Sequence, residues 1–202
     1  MKENTAVKAH RALVMGRRVS KISQHIAALI PKSVSTILDV GAGTGEMAIA
    51  IKSKRPELEI SGVDVFVRPK TFVPISKYDG KILPFADNSF DLVVVVDVLH
   101  HCDDPVAVLQ ECARVAKRYV LIKDHNSNSL FDEQVLRFMD WVGNRAHKVA
   151  LPYDYLSTEN WLSAFKKLRL KMVGETNNLH IYPMPFDLIF GGDLHCLFLL
   201  EK

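Results

Sequence analysis

Cysteine is scarce, long apolar runs are missing and neither sign of charge dominates. The three cysteines among 202 residues, Cys102, Cys112 and Cys196, are widely spaced and form no C-x-x-C pair. So odd and scattered a set argues against a disulfide framework and for a reducing, cytoplasmic setting. The longest apolar runs, Leu92–Val96 and Cys196–Leu200, fall far short of the ~20 residues that a membrane helix needs. Met1–His10 is polar and charged, unlike a secretory signal, so no membrane partner is expected. Lys and Arg outnumber Asp and Glu by 26 to 23, which leaves +3, and aromatics make up only 8%. With no basic stripe and no interleaved aromatics, nucleic acid is not an expected partner. Repeats and low-complexity tracts are also missing, and the composition excludes disordered, collagen-like and coiled-coil architectures.

What is present suits one soluble α/β domain over residues 1–202. A chain of this length can remove about 70% of its unfolded surface from water without a disulfide or metal staple. Val19, Ile22, Ile26, Leu29 and Ile30 recur at helical spacing until Pro31. Strands are predicted over 36–40, 58–65, 90–97 and 118–123. Helices fall between them over 46–54, with Met47, Ala50 and Ile51 inward, and over 105–117, with Asp103 or Asp104 as N-cap. This alternation argues for an open parallel sheet covered on both faces. Beyond Asp124 the rhythm changes. A helix around 130–142, another over 158–168 and two late strands, 170–175 and 194–201, must be fitted in. Without a full crossover between them, those two strands are antiparallel neighbours. Residues 126–157 are expected to form a lid or pocket wall, and 177–193 a second one, because long connections in a compact domain are usually functional.

The glycine loop carries the most information. Ile37-Leu38-Asp39-Val40 leads into Gly41-Ala42-Gly43-Thr44-Gly45, and Glu46 opens a helix. Alternating glycines permit positive φ and close approach of backbone N–H groups to a ligand, and the helix presents its N-terminus there. A dinucleotide site requires G-x-G-x-x-G, but Glu46 stands where the third glycine belongs. No Gly-Lys-Ser/Thr follows, so a phosphate-binding Walker loop fails as well. Asp64 ends the second strand, where a carboxylate can take two ribose hydroxyls. A nucleoside without a pyrophosphate fits better than NAD, which makes an NAD-dependent reductase the lesser alternative.

Four stretches together resemble a known family. They are Leu38–Gly45, Gly62-Val63-Asp64, Asp79–Asp91 (DGKILPFADNSFD) and Asp97-Val98-Leu99-His100-His101 followed by Asp104-Pro105. In this order and spacing they resemble the class I S-adenosylmethionine-dependent methyltransferases, in the small-molecule branch similar to quinone-biosynthesis methyltransferases. The resemblance covers residues 37–105. It implies a Rossmann-like seven-stranded sheet, mostly parallel with a late antiparallel strand, and S-adenosylmethionine as cofactor. It further implies that Gly41, Ala42, Gly43 and Gly45 wrap the methionine moiety and that Asp39 holds its amino group. Asp64 would grip the ribose and Val65 the adenine face, Asp79 beside Gly80 the adenine amino group, and Asp97, Val98 and Leu99 would line the cofactor. A non-catalytic cofactor-binding domain is the other alternative.

The remaining residues are read from their chemistry. His100, His101, Asp124 and His125 are candidate general bases, since imidazole titrates near neutrality and the carboxyl ends of strands face ligands. The run His100–Asp104 is dense in metal-ligand types, but neighbouring side chains diverge, so no metal is expected. Cys102 is expected to be a buried small residue. Asp140, Trp141, Asn144, Tyr153 and Tyr155 combine aromatic bodies with polar tips, as organic-ligand pockets do. Met15-Gly16-Arg17-Arg18 offers an arginine to a cofactor carboxylate or an anionic substrate. The expected partner is a small-molecule acceptor.

Overall fold

The computed structural model describes residues 5–144 and 155–202, with side chains over 16–142 and 155–202. Helix α1 (Thr5–Leu29) leads to β1 (Thr36–Val40), and α2 (Glu46–Lys52) follows the glycine bend. Strands β2 (Glu59–Asp64), β3 (Ile75–Lys77) and β4 (Phe90–Val96) come next, then α3 (Pro105–Val115) and β5 (Ala116–His125). The last third holds α4 (Leu130–Asn144), α5 (Thr158–Lys167), β6 (Lys171–Thr176), the short α6 (Asp187–Phe190) and β7 (His195–Glu201). All seven strands join one sheet in the order β3-β2-β1-β4-β5-β7-β6. β1 to β5 pair in parallel, and β7 runs antiparallel between β5 and β6. This is the expected seven-stranded, mostly parallel sheet with its late antiparallel pair.

The apolar character of β4 explains why the sheet lies in the middle. Leu92 and Val94 pack with Ile22 and Ile26 of α1 on one face, while Val93 and Val95 meet Val108 and Leu109 of α3 on the other. A parallel strand covered on both faces needs such an unbroken apolar run. α5 adds Trp161 and Phe165 to the α3 layer, and Leu179 and Ile181 of the late connection seal the α1 layer. Asp104 caps α3 as expected, and Ser157 caps α5. The Asp104 carboxylate accepts the Ala107 N–H at 2.9 Å ahead of Pro105, and Ser157 Oγ accepts the Asn160 N–H at 3.2 Å.

Several local expectations require correction. β3 has only three residues, too few to show any periodicity, and the run of strands read from the residues omits it. Helix α3 ends at Val115 rather than Lys117, because Ala116 already has an extended backbone. In α2 the buried residues are Ala48 and Ile51, with Met47 and Ala50 half-buried. The connection 177–193 contains α6 and is anchored by the buried Leu179, Ile181 and Asp187, while most of its other residues are exposed. Cys102 is half-buried, not buried, although burial still pushes its thiol up to about 11.

The winding reverses between β1 and β4, since β2 and β3 lie to one side and β5 to the other. In open α/β sheets such a reversal opens a crevice beyond the carboxyl ends of the strands. The glycine bend follows β1, Asp64 ends β2, Asp97 follows β4, and Asp124 and His125 end β5. One edge therefore receives every sequence-predicted group from these four strands.

Candidate functional site

The bend after β1 is built by its backbone. Gly41, Gly43 and Gly45 all adopt positive φ, at 73°, 58° and 82°. At Gly41 a Cβ would overlap Val98 Cγ2, so this position needs glycine for space as well as for conformation. At Gly43 a Cβ would meet nothing within 4 Å, so conformation alone demands glycine there, and the space beside it is open. Asp64 braces the loop, with Oδ2 accepting the Gly43 N–H and Oδ1 the Phe66 N–H, each at 2.8 Å. Asp79 braces the next loop, where its Oδ1 accepts the N–H groups of Lys81 and Ile82, both at 2.8 Å. Gly80 sits beside it at φ 83°, and Val65 is half exposed above the β2 end.

Asp39 is the anomaly of this half of the edge. Its side chain is 3% exposed, and its Oδ2 is buried with no hydrogen-bond partner among the described residues. Burial, and secondarily the charge of Asp64, push its carboxyl up to about 7. An orphaned buried carboxylate oxygen next to an open glycine bend fits a ligand that brings a cation and hydrogen-bond donors.

The middle of the edge is a charge cluster. Asp97 follows β4 at φ 55°, and its carboxylate receives both the Arg18 guanidinium and the Lys123 ammonium. Lys123, on β5, is fully buried and also faces His195 Nδ1 at 3.2 Å. Arg18 Nη1 reaches the Tyr182 hydroxyl at 3.4 Å. Burial opposes ionisation of Asp97, but the two cations outweigh it and hold the carboxyl well below its usual range. For Lys123 burial prevails, and the ammonium is lowered despite Asp97.

The far half of the edge gathers imidazoles and carboxylates from separate elements. His100 lies in a single 3₁₀ turn, Leu99–His101, directly after β4. Its Nδ1 stands 2.5 Å from Asp124 Oδ1, and its Nε2 3.7 Å from Asp140 Oδ2. Asp124 Oδ2 accepts the Leu99 N–H at 3.0 Å, and Oδ1 also accepts the His125 N–H at 2.8 Å. Burial works against a charged His100, yet the Asp124 carboxylate prevails and raises it. Burial lowers His125 to about 4 and also lowers His101, whose Nδ1 is buried without a hydrogen-bond partner among the described residues. Burial likewise takes His195 well below its usual value. Tyr155 donates to Asp140 at 2.5 Å and its ring stacks on His100, with centroids 5.8 Å apart.

The structure thus brings together His100, His101, Asp124, His125, Asp140 and Tyr155, and along the same edge Asp39, the glycine bend, Asp64, Asp79 and Asp97–Leu99. Trp141 does not join them. It is half exposed, with a ring contact to Phe138 at 6.4 Å, because it is one residue, and so about 100° around α4, from Asp140. Tyr153 and the side chain of Asn144 lie outside the described residues. Arg17 is exposed, and Arg18 pairs with Asp97 rather than standing ready for an anion. The divergence expected within His100–Asp104 fails at its start, where ligand atoms of His100 and His101 lie within 4.8 Å of one another and of Asp140. His100, Asp124 and His125 converge, since the partners come from the end of β5 rather than from chain neighbours. Sequence reading gave no role to Lys123, Tyr182 or His195. A lysine closing the apolar run Val120-Leu121-Ile122 was the available signal for the first. His195 is legible only through register, being paired across the sheet with His125.

Comparison with known proteins agrees with this geometry. Residues 38–121 match the family model described as a methyltransferase domain. A demethylmenaquinone methyltransferase of Thermotoga maritima is 31% identical over 205 residues, covering 92% of this chain and 89% of the relative. The chain belongs to the class I S-adenosylmethionine-dependent methyltransferases. A ubiquinone/menaquinone biosynthesis C-methyltransferase of Cupriavidus metallidurans is 28% identical over 140 residues, or 60% of this methyltransferase and 58% of the relative. Among solved structures, a putative methyltransferase of Haloferax volcanii, in complex with the activator Trm112, superposes with a TM-score of 0.66. It has 17% identity and covers 96% of this chain and 94% of that one. A Thermotoga maritima S-adenosylmethionine-dependent methyltransferase superposes with a TM-score of 0.64 at 21% identity, covering 97% and 96%. No helix among the described residues of this methyltransferase is long and apolar enough to cross a membrane. The orphaned Asp39 oxygen and the open side of Gly43 fit the amino-acid end of the family's cosubstrate.

Proposed function

We propose that this methyltransferase passes the methyl group of S-adenosylmethionine to an O, N or C atom of a small-molecule acceptor, and that the acceptor lies over the His100–Asp124 pair. The cosubstrate supplies a sulfonium methyl that is already activated. Asp39 takes its amino group, and the backbone of Gly41, Ala42, Gly43 and Gly45 shapes the space for its methionine end. Asp64 and Val65 face the ribose and adenine, with Asp79 and Gly80 at the adenine amino group. Asp97, Val98 and Leu99 form the boundary with the acceptor side. Holding three reacting atoms in line can lower a barrier by up to ~7–11 kcal/mol, so positioning is the main task of these residues.

The acceptor half supplies the base. Asp124 is ionised and accepts only, so His100 donates through Nδ1 and carries its lone pair on Nε2. That nitrogen, on the Asp140 side, accepts a proton from an acceptor hydroxyl or carbon acid; His101, His125 and Asp124 complete the set of candidate proton carriers. The rings of His100, His125 and Tyr155 suit a flat aromatic acceptor, with α4 and residues 177–193 as walls of its pocket. The names of the curated relatives make a ring carbon of the hydroquinone class the first acceptor to test.

One observation carries this reading: the orphaned Asp39 oxygen at a glycine bend shares a sheet edge with a buried His–Asp pair. Calorimetry should show binding of S-adenosylmethionine and of its demethylated product. Incubation with methyl-labelled cosubstrate and a panel of hydroquinones, phenols and amines should then yield one labelled product by mass spectrometry. Absence of binding by either nucleoside overturns the proposal.

A further inference from the structure

We propose that His100, Asp124 and His125 form a binding site for a transition-metal dication of the zinc class. The inference does not depend on the identity of the methyl acceptor. His100 Nδ1 lies 2.5 Å from Asp124 Oδ1 and 3.4 Å from His125 Nδ1, and the third side of the triangle, His125 Nδ1 to Asp124 Oδ1, is 3.6 Å. A point equidistant from the three atoms is about 1.9 Å from each, just inside the ~2.0–2.2 Å of zinc–nitrogen and zinc–oxygen bonds. The His100–Asp124 edge, now at hydrogen-bond length, must open toward the wider separation of tetrahedral ligands for an ion to bind, whereas the two edges to His125 already have that spacing. Two imidazoles and one carboxylate form a donor set that suits zinc, iron(II) and cobalt(II) rather than magnesium or calcium.

The surroundings support the same ligands. All three side chains are buried and stand on rigid elements, the 3₁₀ turn after β4 and the end of β5. The Leu99 N–H fixes Asp124 through Oδ2, and beyond His100 the carboxylate of Asp140 faces the second ring nitrogen. Outer carboxylates of this kind orient metal-bound imidazoles. The ion would take the place of the proton shared by His100 and Asp124 and leave the ring proton of His100 on Nε2, so the loaded site and the base role of that nitrogen are alternative states of one residue.

The test uses the full chain. Titration with cobalt(II) should give the intense visible band of a low-coordinate ion at one equivalent, with no thiolate charge-transfer band, and zinc(II) should displace it. The band should be lost in His125→Gln and retained in His180→Gln, which alters a pair at the mouth of the late connection. X-ray absorption of the zinc-loaded native protein should show imidazole scattering and only N/O ligands, a readout that survives if a variant fails to fold. Sulfur ligands, or the absence of any stoichiometric band, overturns the site. So does a band that persists in His125→Gln but disappears in His101→Gln, because the neighbouring group His100, His101 and Asp140 would then hold the ion.

Discussion

Replacing Asp39 by Asn separates what this residue does for folding from what it does for the cosubstrate. Its carboxyl titrates near 7 in the folded chain against 3.8 when unperturbed. That gap corresponds to about 4 kcal/mol at most when the group is charged, reduced to roughly 1–3 kcal/mol by the polar group that asparagine still buries. For an acid whose folded value is raised, the native state binds more protons than the unfolded chain. Stability therefore falls as pH climbs from about 4 to about 7 and levels off above. Asp39→Asn removes that dependence but buries its amide at every pH, so the variant should fall about 1–3 kcal/mol below the native protein near pH 4 and exceed it by about 1–3 kcal/mol at pH 8. Urea unfolding at several pH values measures the difference directly. A difference that stays flat across the range would refute the buried, unpartnered carboxylate.

The same substitution should weaken S-adenosylmethionine binding at least about tenfold, since a charged hydrogen bond is worth ~1.5–3 kcal/mol. At pH 8 a more stable protein that binds less tightly is the expected pattern. In the native protein an incoming ammonium favours the ionised carboxyl, so binding below pH 7 should expel a proton. Its calorimetric enthalpy should then vary with the ionisation heat of the buffer. Equal affinity in both proteins would remove Asp39 from the site.

Gly41→Ala, which overlaps Val98, should lose roughly 2–4 kcal/mol by thermal denaturation. Gly43→Ala, which meets nothing, should lose only about 1–2 kcal/mol while reducing cosubstrate affinity. Asp97→Ala leaves two cations uncompensated and should cost about 3–5 kcal/mol, whereas Lys123→Met leaves Arg18 on the aspartate and should cost clearly less; the reverse order in urea would refute the pairing. Because Asp124 raises His100, a rate that needs neutral His100 should increase with pH through a midpoint above 6.5. Asp124→Asn should shift that midpoint downward and lower kcat by about 10²–10⁴-fold, and an unchanged pH profile would exclude His100 as the base.

The sequence made the strand-and-helix rhythm legible wherever burial imposed a period, as in the apolar run of β4, the turn at Pro31 and the cap at Asp104. The residues of the proposed cosubstrate half were legible too, because Asp39, the glycines and Asp64 lie within one β-turn-α-β unit, where local spacing carries the geometry. The acceptor half was legible only as residue types. His100 meets Asp124 across β4 and β5, His195 meets His125 through antiparallel register, and Arg18 crosses from α1 to Asp97. None of these contacts leaves a mark at fixed chain separation. Trp141 shows the limit of residue type alone: helical phase sets it about 100° around α4 from Asp140, which composition does not register.

The two halves meet at Asp97, and its energetics explain why that position is neither glycine nor neutral. A non-glycine residue in the left-handed region costs about 1–2 kcal/mol, and glycine would avoid that cost at φ 55°. Lys123 is fully buried, however, and Arg18 is largely so. Leaving them without a counter-ion costs several kcal/mol, which exceeds the conformational strain. An aspartate in a strained turn is the lower-energy choice, and two cations from α1 and β5 then pin the chain where β4 ends. The backbone leading into Val98 and Leu99 is thereby fixed from both sides. Val98 in turn packs against Gly41, and the Leu99 N–H holds Asp124. A single ion cluster thus couples the position of the glycine bend to that of the His–Asp pair, and the proposed in-line transfer would draw on that alignment.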